Sequence, residues 1–342
     1  MICLGIESTA HTFGASVVRS NIDTTKYEKA TCEILSNEKD VYTTTSGGMI
    51  PRELAEHHYR VAPAVIKAAL EKVQVKMNEI DLIAFSQGPG IGNALRCGAN
   101  TARQLALLYK KPLIGVNHCI AHLEIGRILC KAPDPVMLYA SGANTQIICY
   151  ENNYYRVFGE TLDTGIGNFL DSFGRELGLG FPAGPVLDKM YFEGHKLISL
   201  PYTVKGMDLA FSGLLTAATK KIKEVEKGEI KKEDLVYSAL HNAFAMLTEV
   251  TERALAHTQK SEVVLGGGVG CSKALQGMVG KMCEERGAKL FVPPNSVMVD
   301  NSAMIAWTGL LMHRHGHTTP LNKSEILPKQ RTDDVRVNWR ED

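Results

Sequence analysis

Apolar positions along this chain come in short runs that break into small-residue turns, and the breaks are as informative as the runs. Ile2, Cys3, Leu4, Gly5 and Ile6 run into Glu7, Ser8, Thr9, Ala10 and His11, and apolar character resumes at 15–18. The same grammar returns at 137–150, where Met137, Leu138, Tyr139 and Ala140 break into Ser141, Gly142, Ala143, Asn144, Thr145 and Gln146 before Ile147, Ile148, Cys149 and Tyr150. Short apolar runs bounded by turn residues predict strands. A turn built from small and hydroxyl residues can wrap a phosphate with its backbone N–H groups. Two such units predict a duplicated nucleotide-binding fold.

Between and beyond these units the pattern alternates strand, glycine turn and helix. A helical period covers 52–73, with Pro63 expected to bend or divide it. A strand over 81–85 feeds the glycine turn 86–92, a helix over 93–109 and a strand over 112–116. The second half reads as the strand pair 136–150, a glycine-studded region over 165–185, a charged amphipathic helix over 214–225 and a long helix over 235–257. It continues as a strand over 262–265, the glycine run 266–270, a helix over 272–285, a strand over 289–292 and a helix from Asp300 to about 313. From Pro320 onward the chain is polar and shows no core pattern. The fold class expected is therefore α/β, as two lobes around a shared cleft: 1–130, completed by 310–330, and 131–309 with the nucleotide site, followed by a polar segment over 320–342.

Composition narrows the function classes. The 342 residues are 44% hydrophobic and 22% charged, enough for one two-lobed core. Lys+Arg 38 against Asp+Glu 37 gives a net charge of +1, so overall charge does not announce a nucleic-acid binder. The densest basic stretch, Lys220 to Lys232, is interleaved with Glu224, Glu226 and Glu229, the signature of a solvated helix face. Eight dispersed cysteines without a C-x-x-C pair indicate neither a zinc knuckle nor a disulfide framework, and a reducing cytoplasm is expected. No uncharged apolar stretch approaches the roughly 20 residues that span a bilayer.

Candidate chemistry sits at few positions. His118 and His122 stand at i, i+4, which puts two imidazoles on one helix face within reach of one metal ion. The residue after His118 is Cys119, so the H-E-x-x-H helix of a zinc protease is absent. His313 and His317 repeat the spacing and read as a solvated helix end. Tyr139 reads first as a core aromatic, and Asp300 as a helix N-cap. The run Gly266 to Gly270, between strand and helix, lets a backbone approach a flat or anionic ligand, yet matches neither the dinucleotide-binding fingerprint nor the P-loop.

In combination, the segments GIESTAH at 5–11, GGMIPRELAEHH at 47–58, SQGPGIGNALRCG at 86–98, NHCIAH at 117–122, YASGANTQ at 139–146 and TLDTGIGNFLD at 161–171 resemble the tRNA threonylcarbamoyladenosine transferase family, once labelled glycoprotease. FPAGP at 181–185, FSG at 211–213, GGGVG at 266–270 and VDNSAMIAW at 299–307 extend the resemblance over nearly the whole chain. Asn144 and His11 favour its archaeal and eukaryotic branch, the catalytic subunit of the KEOPS complex. The resemblance implies an actin-like fold of the sugar-kinase superfamily with duplicated mixed-sheet lobes. It implies transfer of a threonylcarbamoyl group from its adenylate to the exocyclic amine of the adenosine beside the anticodon, releasing AMP.

By the same resemblance His118, His122, Tyr139 and Asp300 become ligands of an iron or zinc ion. Tyr139, Ala140, Ser141, Gly142, Ala143, Asp171, Gly184, Asp188 and Ser272 become the site for ATP or the adenylate, with the amides of 141–143 holding its anion. Glu7 and His11 are the candidates for removing the amine proton, with a hydrogen-bonding role for Glu7 as the alternative. Ala143 and Ala183 stand where the family commonly has Gly, and Ser272 where it commonly has Asn. The partners implied are tRNA, a small kinase-like ATPase and a dimerising subunit, in the cytoplasm, or also the nucleus of a eukaryote, and with no membrane. An actin-like ATPase or kinase, and a nucleotide-binding scaffold regulating a partner kinase, are the two competing readings.

Overall fold

The computed structural model describes residues 1–21, 30–44 and 50–340. Gly47, Gly48 and Met49 of the GGMIPRELAEHH motif lie outside the described residues. The chain divides into two units, one made of residues 1–133, 151–155 and 300–342, the other of 134–150 and 156–299. The helix after Asp300 therefore belongs to the first unit, whereas the sequence division places most of it in the second lobe.

In the first unit, five strands form a mixed sheet in the order β3-β2-β1-β4-β5: β1 (Ile2–Glu7), β2 (Thr12–Arg19), β3 (Glu33–Val41), β4 (Leu82–Gly88) and β5 (Leu113–Asn117). β1 pairs antiparallel with β2 and parallel with β4, and β4 pairs parallel with β5. The residues of β1 from Cys3 to Glu7 and of β2 from Thr12 to Val18 are all buried, as continuous apolar runs require of central strands. The helices here are α1 (Pro51–Glu71), α2 (Gly92–Tyr109), α3 (His118–Cys130) and α10 (Ser302–Arg314). Leu4, Ile6, Phe13, Val17, Ile83 and Phe85 form the core with the inner faces of α1 and α2.

The second unit repeats the design. Its sheet has the order β12-β11-β6-β7-β8: β6 (Val136–Ala140), β7 (Thr145–Glu151), β8 (Tyr154–Glu160), β11 (Glu262–Gly266) and β12 (Lys289–Phe291). β6 pairs antiparallel with β7 and parallel with β11, and β11 pairs parallel with β12. Read from β6, this is the topology of the first sheet read from β1, so the expected duplication is present strand for strand. The helices here are α4 (Ile166–Glu176), α5 (Gly184–Tyr191), α6 (Ser212–Glu226), α7 (Lys232–Thr258), α8 (Lys273–Glu285) and α9 (Asn295–Met298), with the short pair β9 (Val204–Lys205) and β10 (Asp208–Leu209). No described helix is long and apolar enough to cross a membrane.

Several expectations are corrected. α1 runs unbroken through Pro63, which lies on its exposed side. The helix-forming stretch after Asp300 is capped by Asn301, whose side chain accepts from the Met304 N–H, so Asp300 is freed from the capping role. The C-terminal segment is not a solvated tail. Val337 and Trp339 are buried in the first unit, the Leu327 N–H donates to the Gln87 carbonyl at 2.7 Å, and Trp339 Nε1 donates to the buried Glu124 at 2.9 Å. The lysine-rich face of α6 is solvated as expected, with Lys221 paired to Glu224.

Candidate metal centre and phosphate turn

In the first unit, β5 ends at Asn117, whose side chain caps α3 by accepting from the N–H groups of Cys119 and Ile120 at 3.0 and 3.2 Å. This cap fixes the first turn of α3 and so the two imidazoles it carries. The rings of His118 and His122 meet edge to face with centroids 4.8 Å apart. Asp300 Oδ1 lies 3.4 Å from the Nε2 of each. One ligand atom from each of the three residues falls within 4.8 Å of the others.

That geometry fits a metal ion. Ligand bonds of about 2.1 Å set the edge of a coordination tetrahedron near ~3.4 Å. The same separation is long for a hydrogen bond. The Nδ1 of His118, on the other side of the ring, lies 3.1 Å from Glu7 Oε2 and 3.2 Å from Thr9 Oγ1. Glu7 is fully buried, and its second oxygen accepts from the Thr9 N–H at 2.6 Å. A carboxylate on Nδ1–H leaves the Nε2 lone pair directed at Asp300, the arrangement by which carboxylates orient metal-binding imidazoles. The structure thus makes Glu7 the partner of His118, the role that the sequence left as its alternative.

Proton and metal compete for the same nitrogens here, because a ligand imidazole must be deprotonated. Burial disfavours charge on His118, yet the Coulombic pull of Glu7, with hydrogen bonds to Asp300 and Glu7, holds its pKa well above the ordinary value. Burial is the largest influence on His122 and lowers its pKa. Burial would raise the Asp300 carboxyl, but hydrogen bonds from His118 and His122 hold it well below the usual range. The site is an anionic carboxylate facing two imidazoles, a donor set suited to iron or zinc. Tyr139, the fourth ligand expected from resemblance, is buried near the end of β6 in the second unit. His11 is half-buried on the β1–β2 turn, and its carbonyl accepts from the Tyr42 N–H at 2.8 Å.

In the second unit, the β6–β7 turn is packed by backbone on two sides. At the start of α4 the N–H groups of Gly167 and Asn168 donate to the carbonyls of Ser141 and Gly142, each at 3.0 Å. A Cβ at Gly167 would lie 2.7 Å from Gly142 Cα, so this approach requires glycine. Gly267, with φ of +83°, presses against the Ala140 carbonyl from the glycine run. The Ser141 N–H is spent inside the turn, on the Asn144 carbonyl at 3.0 Å. Of the three amides expected to hold an anion, those of Gly142 and Ala143 remain, and Ala143 is exposed.

Asp171, Asp188 and Ser272, three other candidate nucleotide residues of this unit, are already engaged. Asp171 Oδ1 accepts from the Ala183 N–H at 2.9 Å, just before Gly184 opens α5. Asp188 accepts from the N–H of Lys273 at 3.0 Å and of Ala274 at 3.3 Å, and from the Ser272 hydroxyl. Ser272 is itself the N-cap of α8, accepting from the Leu275 N–H at 3.1 Å. Asp188 and Ser272 together therefore anchor the start of α8, a role that the sequence reading missed because it joins residues 84 positions apart.

The family described as tRNA N6-adenosine threonylcarbamoyltransferase matches residues 30–307. A tRNA N6-adenosine threonylcarbamoyltransferase of Thermococcus kodakarensis is 52% identical over 99% of this chain and 100% of its own length. The protein of that name from Archaeoglobus fulgidus is 49% identical, again over 99% of this chain and all of that one. A probable bifunctional tRNA threonylcarbamoyladenosine biosynthesis protein of Methanocaldococcus jannaschii is 51% identical, and this chain spans 60% of its length. Two solved structures share the fold at 14% identity. HypF of T. kodakarensis superposes with a TM-score of 0.62 over 90% of this chain and 47% of its own. Component A of the Acidaminococcus fermentans (R)-2-hydroxyglutaryl-CoA dehydratase does so with 0.54 over 90% and 97%. The fold is of the actin-like α/β class. The chain belongs to the tRNA N6-adenosine threonylcarbamoyltransferase family, and its activity is that of a tRNA-modifying transferase.

Proposed function

We propose that this chain transfers the threonylcarbamoyl group of threonylcarbamoyl-adenylate to the exocyclic amine of the adenosine beside the anticodon, in tRNAs reading ANN codons, and that His118, His122 and Asp300 hold one iron or zinc ion. The observation that carries the metal reading is the convergence of three donor atoms on one face of α3, with Glu7 on the far nitrogen of His118. In the reaction the amine nitrogen forms a bond to the carbamoyl carbon, the bond from that carbon to the phosphate oxygen breaks, AMP leaves, and the nitrogen loses one proton. A bound ion supplies Lewis-acid stabilisation of anionic oxygen.

The residues of the chain do the holding. His118 and His122 offer their Nε2 lone pairs, and Asp300 neutralises part of the ion's charge. Glu7 fixes the His118 ring by accepting from Nδ1, which assigns it to positioning and leaves His11 as the candidate for the amine proton. The amides of Gly142 and Ala143 are donors for the phosphate of ATP or the adenylate, on a turn kept rigid by α4 and Gly267. Tyr139, Ala140, Asp171, Gly184, Asp188 and Ser272 complete the nucleotide site by family resemblance. The partners fitting this reading are tRNA, a small kinase-like ATPase and a dimerising subunit of the KEOPS type, in the cytoplasm.

The test is reconstitution with threonine, bicarbonate, ATP, an adenylate-forming enzyme, those subunits and unmodified tRNA. Threonylcarbamoyladenosine in the digested tRNA, dependent on this chain, is the expected product. Phosphoryl transfer to a small acceptor, or nucleotide binding without tRNA modification, would favour the kinase or scaffold reading instead.

A further inference from the structure

The helix α1 carries a second histidine pair that the transfer reaction leaves unused. His57 and His58 are both buried, and three hydrogen bonds run through them in series. His57 Nε2 lies 2.8 Å from Asp40 Oδ1 on β3, the two Nδ1 atoms are 3.1 Å apart, and His58 Nε2 lies 2.9 Å from the Ala10 carbonyl in the β1–β2 turn. A carboxylate and a carbonyl can only accept, so both Nε2 atoms carry a hydrogen, and the contact between the Nδ1 atoms requires one more. Three protons on two imidazoles make one positive charge. Burial pushes the His58 pKa down to about 4, so that ring resists an extra proton, and the carboxylate of Asp40 faces the other ring.

Among the described residues, groups from β2, α2 and the β1–β2 turn also lie around the pair. Tyr42 meets the His57 ring edge-on and donates its hydroxyl to Glu53. The Cys97 thiol of α2 lies 3.3 Å from the Asn93 carbonyl and 3.5 Å from the Ala55 carbonyl. Phe13 of β2 meets the His58 ring edge-on, and the charges of Glu7 and His11 reach His58 from the turn.

We propose that Asp40, His57 and His58 form a charged, shared-proton clamp that positions the β1–β2 turn, and with it the Glu7 and Thr9 groups that orient His118. His58 is the positioning residue, because its Nε2–H is the bond that reaches the turn. Two backbone bonds complete the hold on the turn, from the Ile91 N–H to the Thr9 carbonyl and from the Tyr42 N–H to the His11 carbonyl, each 2.8 Å. The clamp stands on its own geometry, and its effect on metal affinity rests on the metal reading above.

Imidazole nitrogen-15 spectra of the full chain at neutral pH test the clamp directly. The expected result is a doubly protonated His57 and a His58 protonated at Nε2, and two neutral rings would overturn the proposal. His58→Leu is expected to speed amide exchange at Ile91 and Tyr42 and to weaken zinc binding about tenfold, the lower end for a lost orienting bond. His58→Gln, which restores a donor, is expected to recover both, and exchange unchanged in the Leu variant would overturn the proposal. If the Leu variant does not fold, Asp40→Asn at the half-exposed end is expected to leave His57 neutral, and a His57 still charged there overturns the assignment. A wild-type chain that takes up no zinc defeats the metal reading alone, since the spectra and the exchange rates still decide the clamp.

Discussion

At the scale of single residues, function in this chain is set by which neighbour each polar atom has. The i, i+4 pair His118 and His122 was legible in the sequence because helix periodicity alone places both rings on one face. The hydrogen bond from His118 to Glu7 was not, since it joins residues 111 positions apart. Replacing Glu7 with Gln removes the charge that fixes the ring, and metal affinity is expected to fall roughly 10- to 100-fold, as read by competition with a chelator of known affinity. Unchanged affinity would show that Asp300 and helix geometry alone orient His118. Ser272 illustrates the opposite case: its family resemblance points at the nucleotide, while its hydroxyl caps α8 and meets Asp188. Ser272→Ala is expected to cost about 1 kcal/mol of stability by chemical denaturation. Ser272→Asn, which restores a capping side chain, should cost much less.

Among the elements, the sequence made the buried strands and long helices plain and hid those with mixed faces. β3 reads Glu33, Ile34, Leu35, Ser36, Asn37, Glu38, Lys39, Asp40, Val41, and the charges that suit an edge strand erased its apolar signal. β8 at the other edge, with Arg156 and Gly159, was missed for the same reason. α4 and α5 were hidden by glycines that close backbone packing demands, as at Gly167. The C-terminal segment looked polar because its anchors are few, and one of them is the Trp339 indole donating to Glu124, which also accepts from Tyr155 at 2.6 Å and pairs with Arg127 at 2.8 Å. Trp339→Phe keeps the ring and deletes that donor. It is expected to destabilise the chain by roughly 1–3 kcal/mol, read as a lowered denaturation midpoint, and an unchanged midpoint would mean that the segment is held by packing alone.

For the molecule as a whole, the two sheets share one topology, and that duplication was already visible in the repeated strand-turn-strand pattern at 2–18 and 137–150. Chemistry has diverged between the copies: the turn of the first carries Glu7 and Thr9 beside His118 of α3, while the turn of the second offers backbone amides. A net charge of +1, with Lys221 paired to Glu224 in the densest lysine stretch, gives this chain little of the clustered positive charge that supplies tRNA affinity. The purified chain supplied with adenylate is therefore expected to modify tRNA poorly, and addition of the proposed subunits to raise the rate steeply at low salt. Efficient, salt-sensitive modification by the chain alone would show that its own surface suffices.

The central claim, that His118, His122 and Asp300 bind the metal on which transfer depends, is tested most directly by elemental analysis of the purified chain and of its His118→Ala, His122→Ala double variant, each assayed for transfer in the same preparation. About one iron or zinc per wild-type chain and product formation are expected, as the donor cluster of His118, His122 and Asp300 implies, and neither in a double variant whose circular dichroism shows it folded. A folded double variant that keeps stoichiometric metal, or transfers at the wild-type rate without it, would contradict the account.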